Sequence, residues 1–155
     1  MSKTRLRPFL LLLFPVFFLL ASCSRPDDTV IRETINAFKT NAEAGNWDEL
    51  MTHISKHYKD KDNNNYFIIN QMIRNYTAGV TEMKVDIEIM GVNISEKEAQ
   101  AQVKMVVQGK KGGNMFFVVG RPDAPEYPRL YLAKEGRQWR LIKVEGIRGN
   151  EDNQY

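Results

Sequence analysis

Cysteine is the scarcest informative residue in this chain: one of 155 residues, Cys23. A single thiol excludes an intramolecular disulfide framework. Histidine is nearly as rare. His53 and His57 stand four apart, so one helical face would carry both, which is a ligand spacing. His53 is followed by Ile54, however, so the His-Glu start of a zinc protease is missing. With no second cysteine and only solvated acids nearby, the two are read as surface histidines, and no metal or cofactor is expected. No phosphate loop, nucleophile elbow or aromatic-basic stripe occurs, and Lys110-Lys111-Gly112-Gly113 reads as a solvated hairpin tip. A comfortable transmembrane run is also missing. The longest apolar stretch, Phe9 to Ala21, contains Pro15 and is shorter than the ~20 residues a spanning helix needs.

Net charge is small as well. The chain carries 22 basic and 19 acidic residues, but Lys3, Arg5 and Arg7 all lie in the first 22 positions, where no acid occurs. Taking those 3 from 22 leaves 19 basic against 19 acidic residues. A neutral remainder supplies no field for phosphate backbones, so nucleic acid is excluded as a partner.

The N-terminus is ordered: a basic segment, an apolar segment, then small residues before a cysteine, the layout of a secretory signal peptide. Leu20-Ala21-Ser22-Cys23 resembles the bacterial lipoprotein box. The resemblance implies cleavage before Cys23, a diacylglycerol on its sulfur and acylation of the new amine. Two or three acyl chains hold a protein to a membrane where one holds it marginally. Lipidation would also cap the unpaired thiol. Ser24, rather than an aspartate, follows the cysteine, which by the same resemblance favours the periplasmic face of the outer membrane over the inner membrane. The expected organisation is a signal peptide over 1–22, a lipidated tether over 23–28, a single domain over 29–148 and a flexible tail over 149–155.

Within the domain, Asp27 and Asp28 sit where a helix would start, with charges suited to its dipole. Val30, Ile31, Ile35, Ala37, Phe38, Ala42 and Ala44 recur at helical spacing up to Gly45. Asn46 with Glu49 predicts a capped second helix whose apolar face is Trp47, Leu50, Met51 and Ile54, running out around His57 to Asp60. Tyr66 to Thr77 gives a third helix, with Phe67, Ile68, Met72, Ile73 and Tyr76 as its apolar set. After Gly79 the period becomes two. Met83 to Ile89 and Ala99 to Val107 read as strands on either side of a turn at Asn93 to Lys97. Met115 to Val119, Arg129 to Lys134 and Gln138 to Ile147 read as further strands, with a loop at Arg121 to Pro128 that holds three prolines. Helices followed by strands predict an α+β domain, helices packed on a curved antiparallel sheet of about four strands.

The first helix ending in Ala42-Glu43-Ala44-Gly45-Asn46-Trp47-Asp48-Glu49-Leu50, the exit at Tyr58-Lys59-Asp60, the third helix and the closing strand with Trp139 resemble the nuclear transport factor 2-like superfamily. The resemblance implies a cystatin-like cone with an apolar pocket, here lined by Phe38, Trp47, Met51, Tyr58, Phe67 and Met72. It implies a non-catalytic module that binds an envelope protein or a small apolar ligand, and dimerisation through the sheet. The alternative it carries is an isomerase or lyase, with Asp60 or Asp86 as base and Tyr58 as hydrogen-bond donor. Against that, Asp60 sits in a charged turn and Asp86 alternates outward, whereas a catalytic carboxylate needs burial to raise its pKa. Met90 and Val106, on the polar side of their strands, with Phe116 or Phe117 outline an exposed apolar strip of the kind a partner covers.

Overall fold

A computed structural model describes residues 26–147. The proposed signal peptide, Cys23 and the tail over 149–155 lie outside the described residues. Helix α1 spans Asp27–Glu43, α2 Trp47–Thr52 and α3 Tyr66–Thr77. The strands are β1 (Val80–Ser95), β2 (Glu98–Lys111), β3 (Asn114–Val119), β4 (Arg129–Glu135) and β5 (Gln138–Glu145). The result is an α+β fold on a five-stranded antiparallel sheet, one strand more than the four expected.

Each helix begins and ends for a local reason. Helix α1 opens at Asp27, behind Pro26 at the N-cap, so Asp27 and Asp28 form its acidic first turn. Asn46 precedes α2 but its side chain makes no capping bond, so the expected capping box does not form. Helix α2 stops at Thr52, well before His57, because the next residues pair with β5 instead. The Ser55 amide donates to the Leu141 carbonyl (2.9 Å) and the Leu141 amide donates to the His53 carbonyl (2.9 Å). Asn65 caps α3, its side-chain oxygen accepting from the amides of Phe67 (3.0 Å) and Ile68 (3.1 Å), a bond type that contributes about 1 kcal/mol.

The sheet order is β1-β2-β4-β5. The second edge of β2 is shared: residues 98–102 pair with β4 and residues 107–111 with β3. The proline loop fills the interval between them. There the Met105 amide donates to the Glu126 carbonyl (2.8 Å) and the Val103 amide donates to the Pro128 carbonyl (3.1 Å). Gly120 makes that return feasible: its φ is +57°, and a Cβ there would lie 2.8 Å from the Glu126 nitrogen. Strand β1 runs longer than the alternation predicted, reaching Ser95 before a two-residue turn. Register shifts between Ile89 and Gly91, and opposite Val107/Gln108, mark bulges, which bend strands and raise local twist.

The core lies between the N-terminal half of α1 and the β2-β4-β5 part of the sheet. Ile31 and Ile35 of α1 are fully buried, as are Ala101, Val103, Leu132 and Trp139, to within 1%. Each large aliphatic side chain so placed contributes about 1.5–3 kcal/mol relative to exposure.

Candidate functional site: an apolar cavity at one end of the first helix

Beyond Ile35, α1 and the sheet part, to meet again where the Val85 amide of β1 donates to the Glu43 carboxylate (3.0 Å). A cavity of about 390 Å³ opens between them, within the usual range for small-molecule sites. Phe38 and Ala42 of α1 form its floor, with Trp47 and Leu50 of α2 beside them. Met83, Val85 and Ile87 of β1 and Met105 and Val107 of β2 form the sheet wall, their inward direction following from strict alternation. Ile69, Met72, Ile73 and Tyr76 of α3 close the third side, and Val118 and Ile147 complete the rim. None of these lining side chains is ionisable apart from the Tyr76 phenol. Of the other polar groups, the Thr77 hydroxyl already donates to the Ile73 carbonyl (2.7 Å).

The three aromatic and methionine positions Phe38, Trp47 and Met72 line this cavity. The other three pocket residues expected from the sequence lie elsewhere. Met51 is 3% exposed within the packed core, so it leaves the cavity wall to Trp47 and Leu50 of the same helix. Phe67 is 76% exposed, and Tyr66 and Ile69 take the inward direction in its place. Tyr58 is buried in the same core as Met51. Burial first, and then the Asp60 carboxylate, push its phenol up to about 12. The sheet residues of the wall were legible as inward-facing, but nothing in alternation distinguishes a residue packed on a helix from one facing a cavity.

The ionisable groups weighed from the sequence are engaged or exposed. Asp60 organises its own turn, accepting from the amides of Asp62 and Asn64 (both 2.9 Å) and from the Asn64 side chain (2.9 Å). Asp86 is exposed on the outer face of β1. His53 lies past the end of α2, edge-on to Phe38 with ring centres 5.8 Å apart, and burial holds its pKa below the ordinary value. His57 is exposed, and its amide donates to the Ser55 hydroxyl. The helical face that would have carried both histidines does not exist. Among the described residues no group of three His, Cys, Asp or Glu is arranged to hold a metal. The apolar strip is also interrupted: Met90 is exposed, but Val106 is buried and the Phe116 ring lies against Gly109, where a Cβ would come within 2.6 Å.

A polar arrangement that sequence reasoning missed sits at the opposite end of α1. Lys134 donates to both carboxylate oxygens of Asp27 (2.7 and 2.9 Å), and the Trp139 indole N–H donates to one of them (3.0 Å). The Lys134 bond first, then the Trp139 bond, hold the Asp27 carboxyl below the ordinary carboxylate range. Nearby, the Ser55 hydroxyl donates to Glu135, whose other oxygen accepts from Arg140 (2.8 Å). Ser55 therefore acts as a structural link, with its proton committed to a carboxylate. A shallow polar hollow between the β1–β2 and β4–β5 turns, walled by Glu96, Lys97, Lys134 and Gly136, lies at this same end.

No protein-family model and no curated protein matches the chain. Solved structures do. A protein of unknown function with a cystatin-like fold from Nostoc punctiforme superposes with a TM-score of 0.60 at 10% identity, over 81% of this chain and 92% of that one. A candidate dehydratase of the NTF2-like family from Streptomyces avermitilis gives 0.63 at 8% identity, over 77% and 94%. Bd1075 from Bdellovibrio bacteriovorus gives 0.62 at 11% identity over 78% of this chain, which spans 40% of that protein's length. The fold is thus the nuclear transport factor 2-like, cystatin-like one, and identities this low speak to the fold alone.

Proposed function

We propose that the chain is a membrane-anchored envelope lipoprotein whose domain takes up a small apolar ligand without catalysis. The observation that carries this reading is the cavity wall, built from aliphatic, methionine and aromatic side chains with no carboxylate, imidazole or amine among them. An isomerase or lyase needs an acid or base within hydrogen-bond reach of the reacting atom. Tyr58, Asp60 and Asp86 lie outside the wall, which weighs against that alternative. The anchoring half of the proposal rests on Leu20-Ala21-Ser22-Cys23 and is compatible with helices of which none, among the described residues, is long and apolar enough to cross a membrane.

Three residues separate Cys23 from Asp27, a reach of about 14 Å when extended. Phe38 lies eleven residues along α1 from Asp27, about 16 Å farther along the helix axis. A tether at Cys23 would therefore join the end of α1 opposite the cavity. An envelope protein partner would be expected to meet the open cavity end, away from the tether. Two measurements test the proposal. Wild type should carry acyl mass and partition with membranes, whereas Cys23→Ala should remain uncut or soluble. The purified domain should enhance the fluorescence of the neutral dye N-phenyl-1-naphthylamine, with saturation abolished by Ala42→Phe. A domain that binds no such dye, or that turns over a substrate through Tyr58, contradicts the reading.

A further inference from the structure

Resting on that reading, we infer that the ligand is an anionic single-chain amphiphile, its alkyl chain in the cavity and its head beside Lys111. The cavity wall has few fixed polar groups. Ligand sites for rigid, functionalised molecules contain a few fixed polar groups that set orientation. Here the Thr77 hydroxyl is already spent on its own helix, and the Tyr76 phenol stands at the rim, its side chain 65% exposed. A molecule lying wholly inside would find little beyond the Trp47 indole N–H to orient it. A plain hydrocarbon chain needs nothing, and it suits Met72, Met83 and Met105, whose unbranched side chains adapt to a flexible guest.

The apolar face of the sheet ends at a cation. Along β2 the inward positions run Met105, Val107, Gly109 and Lys111, with unbroken alternation on this strand. The Phe116 ring fills the space over Gly109. The next inward position, Lys111, is an exposed cation, with its Cε 3.3 Å and Nζ 3.8 Å from where a Cβ would project from Gly79, two residues past the cavity-lining Thr77. Lys111 takes part in none of the ion pairs among the described residues. An ammonium without an ion pair among the described residues, at the end of an apolar face, matches a carboxylate or phosphate head on an alkyl chain.

Displacement of bound N-phenyl-1-naphthylamine at low ionic strength tests this. Dodecanoate should displace the dye from wild type more tightly than dodecanol. Lys111→Met should weaken dodecanoate by about threefold, the scale of one exposed charge pair, and leave dodecanol unchanged. Lys111 is exposed, so the variant keeps the fold, which circular dichroism checks. Lysophosphatidylglycerol as a third competitor separates the sources: displacement by dodecanoate alone assigns a free fatty acid, and displacement by both assigns a chain shared with membrane lipid. If the dye binds but neither alkyl competitor displaces it, or if Lys111→Met weakens dodecanol as much as dodecanoate, the amphiphile is overturned while the apolar-ligand reading stands. If the dye does not bind at all, both fall.

Discussion

The two halves of α1 have the same helical geometry and opposite fates. At its N-terminal half, Ile31 and Ile35 are sealed against Trp139, Leu132 and Val103, and Asp27 is fastened to the sheet by Lys134 and Trp139. At its C-terminal half, Phe38 and Ala42 are half-buried and face a cavity. Close packing at one end and empty space at the other means that folding energy and ligand capacity are separated along one element. Cores filled to crystal-like density stabilise, and a cavity forgoes those contacts. The third helix follows the same logic. Of its residues only Tyr66 is buried, while Ile69 and Ile73 touch the cavity as well as the edge of the core.

The strongest way to break the comparison is at the sealed end. Trp139→Ala removes a side chain that is 1% exposed and the partner of Asp27. It should cost about 3–5 kcal/mol, read as a large fall in Tm or in the midpoint of urea unfolding. Next comes the clamp. Because the Asp27 carboxyl is depressed below its ordinary 3.8 by Lys134 and Trp139, its contribution is present above that pH and is lost as pH falls through the lower folded value. Tm should therefore drop on acidification below about pH 4, and Asp27→Asn should start lower at neutral pH and show a shallower acid slope. An unchanged slope would remove the clamp from the account.

At the open end the order of effects reverses. Ala42→Phe places a ring where the structure has space. Stability should change by less than about 1.5 kcal/mol, while dye affinity falls at least tenfold by fluorescence titration. The smallest effect belongs to Phe67→Ser. With its side chain 76% exposed, the substitution should alter stability by no more than about 0.5 kcal/mol and leave dye binding intact. A large loss of binding there would mean that the ligand contacts the outer side of α3.

The order of elements was legible because each carries its own period and its own stop. Gly79 follows α3, Gly45 ends α1, and alternation with hairpin turns marks the strands. The orientation of α3 was not legible. Tyr66, Phe67, Ile68, Ile69, Met72, Ile73 and Tyr76 cover most of its circumference, so two stripes compete and only the position of the sheet selects Ile69 and Ile73. Helix α2 was overextended because its apolar spacing continues through Ile54, whereas the backbone at Ser55 finds a better partner in Leu141. The clamp was out of reach because Asp27 and Trp139 stand 112 positions apart. The cavity itself could be anticipated only through the family resemblance, since alternation gives direction without distance.

The two tryptophans of the chain offer the most direct test, because Trp47 lines the cavity and Trp139 lies in the sealed core. Bromine quenches indole emission only at close range. Titrating a neutral brominated alkyl alcohol into Trp139→Phe, which retains Trp47, should quench emission with saturation. The same titration of Trp47→Phe, which retains Trp139, should leave emission unchanged. Equal quenching of both, or of neither, would contradict an apolar binding site confined to the far end of α1.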